Sequence, residues 1–322
     1  MSDPEATADA LRQKVLTLRS TLARVVVGQR ATLDGLIAGL LADGHVLLRG
    51  VPGLGKTLMI KALGRALSLS VGRVQFTPDL MPADILGTQT LHDGPDGPEL
   101  RFKPGPIFHE LLLADEINRA NPRTQAALLE AMAERQVTTD RETRVLGPPF
   151  FVLATENPID MEGTYPLPEA QADRFALQIE VPSPGREDLL DILDVDPRAG
   201  LAAIEPVLDR ATLLGFQSHV ARLPAADAVR GLLVDLVTRS HPSEVPARFR
   251  DYVLLGASPR GAQALLAVAR ARAAMAGRLH VTAEDVRAMA PSVLRHRVLL
   301  NFAARADGIS ADDVVRALLA AG

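Results

Sequence analysis

Gly50-Val51-Pro52-Gly53-Leu54-Gly55-Lys56-Thr57 fits the pattern G-x-x-x-x-G-K-[ST], and every fixed position in it has a chemical reason. Glycines let the chain curl so that backbone N–H groups converge on phosphate oxygens, and the helix that follows adds the positive end of its dipole. Lys56 is then placed to reach the β- and γ-phosphates of a bound nucleotide, and the Thr57 hydroxyl to ligate Mg2+. Gly53, Leu54, Gly55 and Leu58 belong to the same phosphate-binding turn. A second group lies about 55 residues on, where the apolar run Leu111-Leu112-Leu113-Ala114 ends in Asp115-Glu116. Such a run reads as a buried strand, and in a parallel sheet ligands bind beyond the carboxyl ends of strands. Asp115 therefore suits the Mg2+ shell, and Glu116, one residue further, suits activation of an attacking water.

Three more residues are candidates. Phe150–Ala154 reads as another strand, followed by Thr155-Glu156-Asn157-Pro158, and the Asn157 amide could orient the water or sense the γ-phosphate. Arg174 stands just before the last apolar run, and phosphoryl-transfer sites often borrow an arginine from a neighbouring molecule. Arg260 lies in Ser258-Pro259-Arg260-Gly261, the first turn of a predicted helix, where a cation opposes the macrodipole unless an anion is close. The seven histidines have no metal-ligand spacing and read as structural or solvated.

These residues need a scaffold of alternating strands and helices. Apolar runs at Val46–Leu48, Val74–Phe76, Leu111–Leu113, Phe150–Ala154 and Leu177–Val181 are separated by helical stretches such as Lys56–Leu67 and Pro122–Ala133. That alternation predicts an α/β fold with a mostly parallel sheet covered on both faces. Thr88–Lys103, with Gly94-Pro95-Asp96-Gly97 inside it, and Gln136–Val145 interrupt the alternation and read as β-hairpins. Residues 1 to about 43 read as helical, broken at Val25-Val26-Val27-Gly28. Pro182-Ser183-Pro184-Gly185 marks a boundary, after which the character is helical to the end. Start signals there are Ser258-Pro259 and the capping-box spacings Thr282/Asp285 and Ser310/Asp313.

Composition excludes several classes of chemistry. The chain of 322 residues has a net charge of −4 and 47% hydrophobic residues, which is incompatible with general disorder. It contains no Cys, so disulfides, thiolate catalysis, Cys-based zinc sites and iron–sulfur clusters drop out. Four lysines stand against 31 arginines scattered among acids, with 3% aromatic residues and no Trp, a poor footprint for nucleic acid. The acidic start predicts no secretory leader, and no apolar run approaches a membrane span. The expectation is a cytoplasmic protein.

Taken together, these segments resemble the AAA+ ATPases, and within them the MoxR family. The likeness covers most of Val25–Val181 strongly and the helical remainder more weakly. It rests on Val26-Val27-Gly28-Gln29, Gly50–Thr57, Gly105-Pro106-Ile107-Phe108, Leu112–Ala120, Gln125–Gln136, Asn157-Pro158 and Gly163–Phe175. The resemblance implies that Lys56 and Thr57 are the Walker A pair and Asp115 and Glu116 the Walker B pair. Asn157 then matches sensor 1, Arg174 the arginine finger and Arg260 sensor 2, with Val27 and Gly28 near the adenine. Thr88–Lys103 matches the insert in helix 2, and Gln136–Val145 the insert before sensor 1. Arg119 is typical of the family, its role open. Glu156 stands where Gln is usual, adding a negative charge beside the site, and Ala172 where Leu is usual.

The implied architecture is a P-loop AAA+ core over residues 1–183, with a parallel sheet and hairpin inserts, followed by a small all-α lid over 184–322. The implied function is ATP hydrolysis with Mg2+ in a ring of copies, most simply a hexamer, that remodels or matures client proteins. The family is associated with metal-cofactor insertion and with partners carrying a von Willebrand factor A domain. Two other readings are a nucleotide-gated scaffold with little turnover and a related motor, such as a magnesium-chelatase subunit or a nucleic-acid remodeller.

Overall fold

The computed structural model describes residues 3–94, 97–139, 142–158 and 164–320. Pro95, Asp96, Asp140 and Arg141 of the predicted hairpin turns lie outside the described residues, as does Gly163 of the Gly163–Phe175 motif. The chain opens with α1 (Pro4–Ala23) and α2 (Arg30–Leu41). Asp3 caps α1, accepting the Glu5 N–H at 3.1 Å, and Leu11, Val15, Leu18 and Leu22 recur every three or four residues to form its buried stripe. Between the two helices Gly28 takes φ +71, and a side chain there would collide with Asp188.

The core then alternates as expected. β1 (Val46–Arg49) leads into α3 (Lys56–Ala66), β2 (Val71–Gln75) and the short α4 (Pro82–Leu86). The first hairpin is β3 (Gly87–Gly94) with β4 (Gly97–Pro104), in the register Thr88↔Lys103. Next come β5 (Leu111–Asp115), α5 (Pro122–Glu134) and the second hairpin, β6 (Gln136–Thr139) with β7 (Glu142–Val145). β8 (Phe151–Glu156), α6 (Glu169–Ala172) and β9 (Leu177–Glu180) complete this part. Five strands form one parallel sheet in the order β2-β5-β8-β1-β9. Its central strands are apolar throughout because both faces are covered. Leu111 and Leu113 point to the layer of α1, α2 and α3, whereas Leu112 and Ala114 point to the layer of α5. β2 starts three residues before the predicted run. It is an edge strand whose burial alternates, so its pattern has period 2 rather than an unbroken apolar stretch.

After Pro182–Gly185 the chain forms α7 (Arg186–Asp194), α8 (Pro197–Ala202), α9 (Arg210–Arg222) and α10 (Asp227–Thr238). β10 (Val253–Leu255), α11 (Pro259–Met275), α12 (Ala283–Leu294), β11 (Leu299–Leu300), α13 (Phe302–Ala306) and α14 (Ala311–Ala320) follow. The lid is thus helical apart from the antiparallel pair β10–β11, which an all-α reading leaves out. The start signals behave as predicted. Ser258 caps α11, and Thr282 and Asp285 cap α12 reciprocally. Among the described residues no helix is long and apolar enough to cross a membrane.

Two buried polar groups join the lid to the sheet. Arg297, with 2% of its side chain exposed, donates to Asp173 Oδ1 at 2.6 Å and to the carbonyls of Asp173 and Phe175 at 2.9 and 2.6 Å. His296 bonds through Nε2 to the Phe175 carbonyl at 3.0 Å. A buried guanidinium held by a carboxylate and several carbonyls is costly to break, because either partner left alone is an uncompensated buried group.

His45, at the foot of the sheet, gives a pH prediction. Its Nδ1 accepts the Val152 N–H at 3.1 Å, and burial, with the Arg135 guanidinium adding to it, holds its pKa at about 4 against an ordinary 6.5. With the folded value depressed, the unfolded chain binds the proton first. The stabilisation is therefore complete above about pH 6.5 and is lost as pH falls towards about 4. The expected loss from this residue is about 3 kcal/mol across that window. Denaturant midpoints measured through it should fall, and His45→Gln should flatten part of that decline.

Candidate nucleotide site

The carboxyl ends of β1, β5 and β8 lie side by side at the centre of the sheet, and the glycine-rich turn springs from the first of them. Within that turn Gly53 and Gly55 take φ +88 and +75, left-handed values that explain the residue type, since a Cβ at either would touch nothing. α3 begins at Lys56, so its first N–H groups, which have no partners inside the helix, face the turn. Lys56 is buried and its ammonium donates to the Gly50 carbonyl. Burial pushes its pKa below the ordinary lysine value, opposed by the carboxylates of Asp115, Glu116 and Glu156. A buried cation facing a cluster of N–H groups is an anion receptor.

Asp115 closes β5. Its Oδ1 accepts the Thr155 hydroxyl at 2.8 Å, and its Oδ2 lies 3.5 Å from the Thr57 hydroxyl and 2.8 Å from an Arg73 nitrogen. The next residue, Glu116, is left-handed at φ +56, an uncommon conformation for a side-chain-bearing residue that costs about 1 kcal/mol. Its backbone N–H donates to Thr155 Oγ1 at 2.8 Å, so one hydroxyl holds the Asp115 carboxylate and the Glu116 backbone together. Glu116 Oε2 accepts from Gln75 at 3.2 Å and from Arg119 at 3.0 Å. Asn157 follows β8. The side chain of buried Asn118 holds its backbone, donating to the Asn157 carbonyl at 3.1 Å and accepting its N–H at 3.4 Å.

Lys56, Thr57, Asp115, Glu116 and Asn157 line one cavity of about 480 Å3, together with Arg73, Gln75 and Thr155. An apolar cavity of about 270 Å3 adjoins it, sharing Gly53, Gly55, Leu58 and Pro197 and lined further by Val25, Val26, Val27, Leu54, Ile192 and Val195. A polar chamber opening into an apolar slot suits a phosphate chain continuing into a flat base. The Thr57 hydroxyl and Asp115 carboxylate, with phosphate oxygens, make the hard oxygen set that Mg2+ prefers.

Three predicted residues lie elsewhere. Gly28 does not line the apolar slot. Its tight backbone lets the chain pass under Asp188, and its neighbour Val27 makes the slot contact instead. Arg174 and Arg260 line neither cavity. They meet in a third, of about 370 Å3, with Asp173, Gln263 and Arg297. Ser258 caps α11 through its hydroxyl, which also donates to Asp173 at 2.8 Å, so the anion beside the Arg260 helix start is a carboxylate of this chain. Among the described residues Arg174 Nε is a buried nitrogen without a hydrogen-bond partner.

Sequence reasoning passed over Arg73, Gln75 and Thr155. The first two alternate on an edge strand, and that period was a usable signal. Thr155 carried none, because a threonine before Glu-Asn-Pro is ordinary until the strand order sets it beside Asp115.

Known proteins resemble this chain over most of its length. Residues 45–177 match the family described as ATPase family associated with various cellular activities (AAA), and residues 246–318 match the AAA lid domain. The chain is 39% identical to the protein named Chaperone MoxR1 of Mycobacterium tuberculosis over 98% of this chain and 84% of that one. It is 35% identical to Protein MoxR of Methylorubrum extorquens, covering 87% of this chain and 85% of the other. A crystal structure of a candidate ATPase from Cytophaga hutchinsonii superimposes with a TM-score of 0.89 at 36% identity, over 98% of this chain and 96% of that one.

Proposed function

Because the chain belongs to the MoxR family of AAA ATPases, we propose that it hydrolyses ATP in a ring of its own copies and uses the cycle to remodel a client protein. The observation that carries this reading is the gathering of Lys56, Thr57, Asp115, Glu116 and Asn157 around one cavity beside an apolar slot. Thr57 and Asp115 would hold Mg2+, which when bound supplies charge to the phosphate oxygens. Lys56 and the N–H groups of the turn bind the β- and γ-phosphates. Glu116 takes a proton from water as the water oxygen bonds to the γ-phosphorus and the bridging P–O bond breaks. Asn157 orients that water. Arg119 and Gln75 both bond Oε2 of Glu116, which leaves its other carboxylate oxygen to take the proton and gives Arg119 a part in orienting the base.

Arg174 and Arg260 sit together in a cavity that shares no lining residue with the nucleotide cavities. This supports a site completed by a neighbour, with both arginines reaching the next copy's phosphates. The proposed ring is a hexamer, closed by repeating this head-to-tail contact around it. The division into a core over residues 1–183 and a lid over 184–322, a cytoplasmic location and a von Willebrand factor A domain partner are parts of the same proposal. The chaperone role draws support from the name of the mycobacterial relative. The hairpin β3–β4, whose paired Leu91 and Leu100 are both 68% exposed, is the element best placed to meet a client.

The first test is binding of a fluorescent ATP analogue with Mg2+. Lys56→Ala should lose affinity by about 100-fold, since a buried charge-assisted contact to phosphate goes with it. Unchanged affinity would remove the basis of the reading. A nucleotide-gated scaffold would instead bind ATP normally and release a partner no differently after Glu116→Gln.

A further inference from the structure

Arg174 sits between two residues that the lid holds. Asp173, just before it, gives one carboxylate oxygen to Arg297 at 2.6 Å, and its carbonyl accepts from the same guanidinium at 2.9 Å. Phe175, just after it, is fully buried, and its carbonyl accepts from Arg297 at 2.6 Å and bonds His296 Nε2 at 3.0 Å. The Ala176 carbonyl takes a further Arg297 nitrogen at 3.3 Å. One planar guanidinium thus spans residues 173–176, which the fork of arginine can do and an ammonium cannot. Arg174 itself has no such tie at Nε, which is buried and without a hydrogen-bond partner among the described residues. The aim of its guanidinium therefore follows from the bracket on either side of it.

The second oxygen of Asp173 goes to the helix that carries Arg260. Oδ2 accepts the Ser258 hydroxyl at 2.8 Å, and the Ser258 oxygen accepts the Arg260 N–H at 3.2 Å. A single carboxylate thereby fixes the segment of Arg174 against the first turn of α11. It also sets the charge. Among the described residues lining the cavity of Arg174 and Arg260 there are three guanidinium groups, the third being Arg297, and one carboxylate, Asp173. That balance leaves a surplus of positive charge for an incoming anion.

We propose that Asp173 and Arg297 are positioning residues for Arg174 and Arg260, holding the two arginines as one aimed pair for the next copy's phosphates. The inference rests on the neighbour-completed site and adds to it the residues that aim the donor. A misplacement of about 1 Å in a reacting constellation costs about 100-fold in rate, which is the drop expected when the carboxylate is lost.

The test follows turnover, binding of the fluorescent ATP analogue and the effect of mixing variants of the full chain. Asp173→Asn should lower turnover by about 100-fold and leave analogue binding within about twofold, because Asp173 does not line the chain's own phosphate cavity. Mixed with Glu116→Gln, it should recover by about tenfold or more, since its intact Glu116 then meets a well-aimed arginine from the neighbour. Mixed with Arg174→Ala, it should recover nothing, since neither chain supplies a working donor. Loss of a carboxylate beside a buried guanidinium also threatens folding, so Ser258→Gly is the second variant and decides alone if Asp173→Asn fails to bind the analogue. Glycine is a tolerated cap, and the substitution removes the hydroxyl that links Asp173 to α11. Its turnover should fall by about tenfold with the same pattern on mixing, and Ser258→Thr, which keeps the hydroxyl, should restore it. If a variant that binds nucleotide turns over like the unaltered chain, fails to recover with Glu116→Gln, or recovers with Arg174→Ala, the positioning role is wrong. If Arg174→Ala and Glu116→Gln do not recover when mixed with each other, the neighbour-completed site fails and takes this inference with it.

Discussion

Replacing Glu116 by Gln should abolish most ATP turnover and leave ATP bound. The substitution keeps the side chain's size and its reach towards Arg119 and Gln75, but an amide cannot accept the proton that water loses. General-base removal of this kind lowers rate by about 10²- to 10⁴-fold. Affinity for the nucleotide should hold or rise slightly, because one negative charge leaves a chamber that must accept phosphates and that already contains Asp115, with the charge of Glu156 felt at Lys56. Phosphate release and binding of a fluorescent analogue, measured on the same sample, separate the two effects. Turnover like that of the unaltered chain would mean that some other group activates water.

Arg174→Ala should be nearly as damaging, by about 10³-fold or more if the guanidinium stabilises charge on the transferring phosphoryl group. Its decisive feature is complementation. In a ring with head-to-tail sites, a copy carrying Arg174→Ala keeps its own Glu116, and a neighbour carrying Glu116→Gln keeps its own Arg174. Mixing the two inactive variants should therefore restore roughly a quarter of the sites in randomly assorted rings. A site built within one chain would gain nothing from mixing. Recovery on mixing thus tests the neighbour's contribution separately from the chemistry.

Much of this arrangement was legible before any coordinates, and the reasons are physical. Strands buried on both faces must be apolar throughout, so Leu111–Ala114 and Phe151–Ala154 stand out, and carboxyl ends of parallel strands collect ligands. The caps at Ser258 and Thr282 are local chemistry, decided within three residues. Edge strand β2 was blurred because half of it faces water. The pair β10–β11 escaped notice because two or three residues leave no period to detect. Arg174 and Arg260 were recognisable one at a time, yet their meeting was not, since it depends on Arg297 pulling the end of α12 against the Asp173–Ala176 segment. Thr155 shows the same limit at the site itself. A hydroxyl that fixes the Asp115 carboxylate and the Glu116 backbone at once is visible only when strand neighbours are known.

The buried Arg297 clasp has a mechanical corollary. It pins the far end of the lid to the entry of β9, and one apolar core runs without a break from α1 to α14. Bending this molecule between sheet and lid would mean tearing a guanidinium from its carboxylate and shearing that core. Stiffness there leaves compliance to the weakly anchored stretch around α7, which buries no side chain, so in the proposed ring each copy would act as a rigid lever, and force generated at one phosphate would be handed to the adjacent body instead of being absorbed within its own.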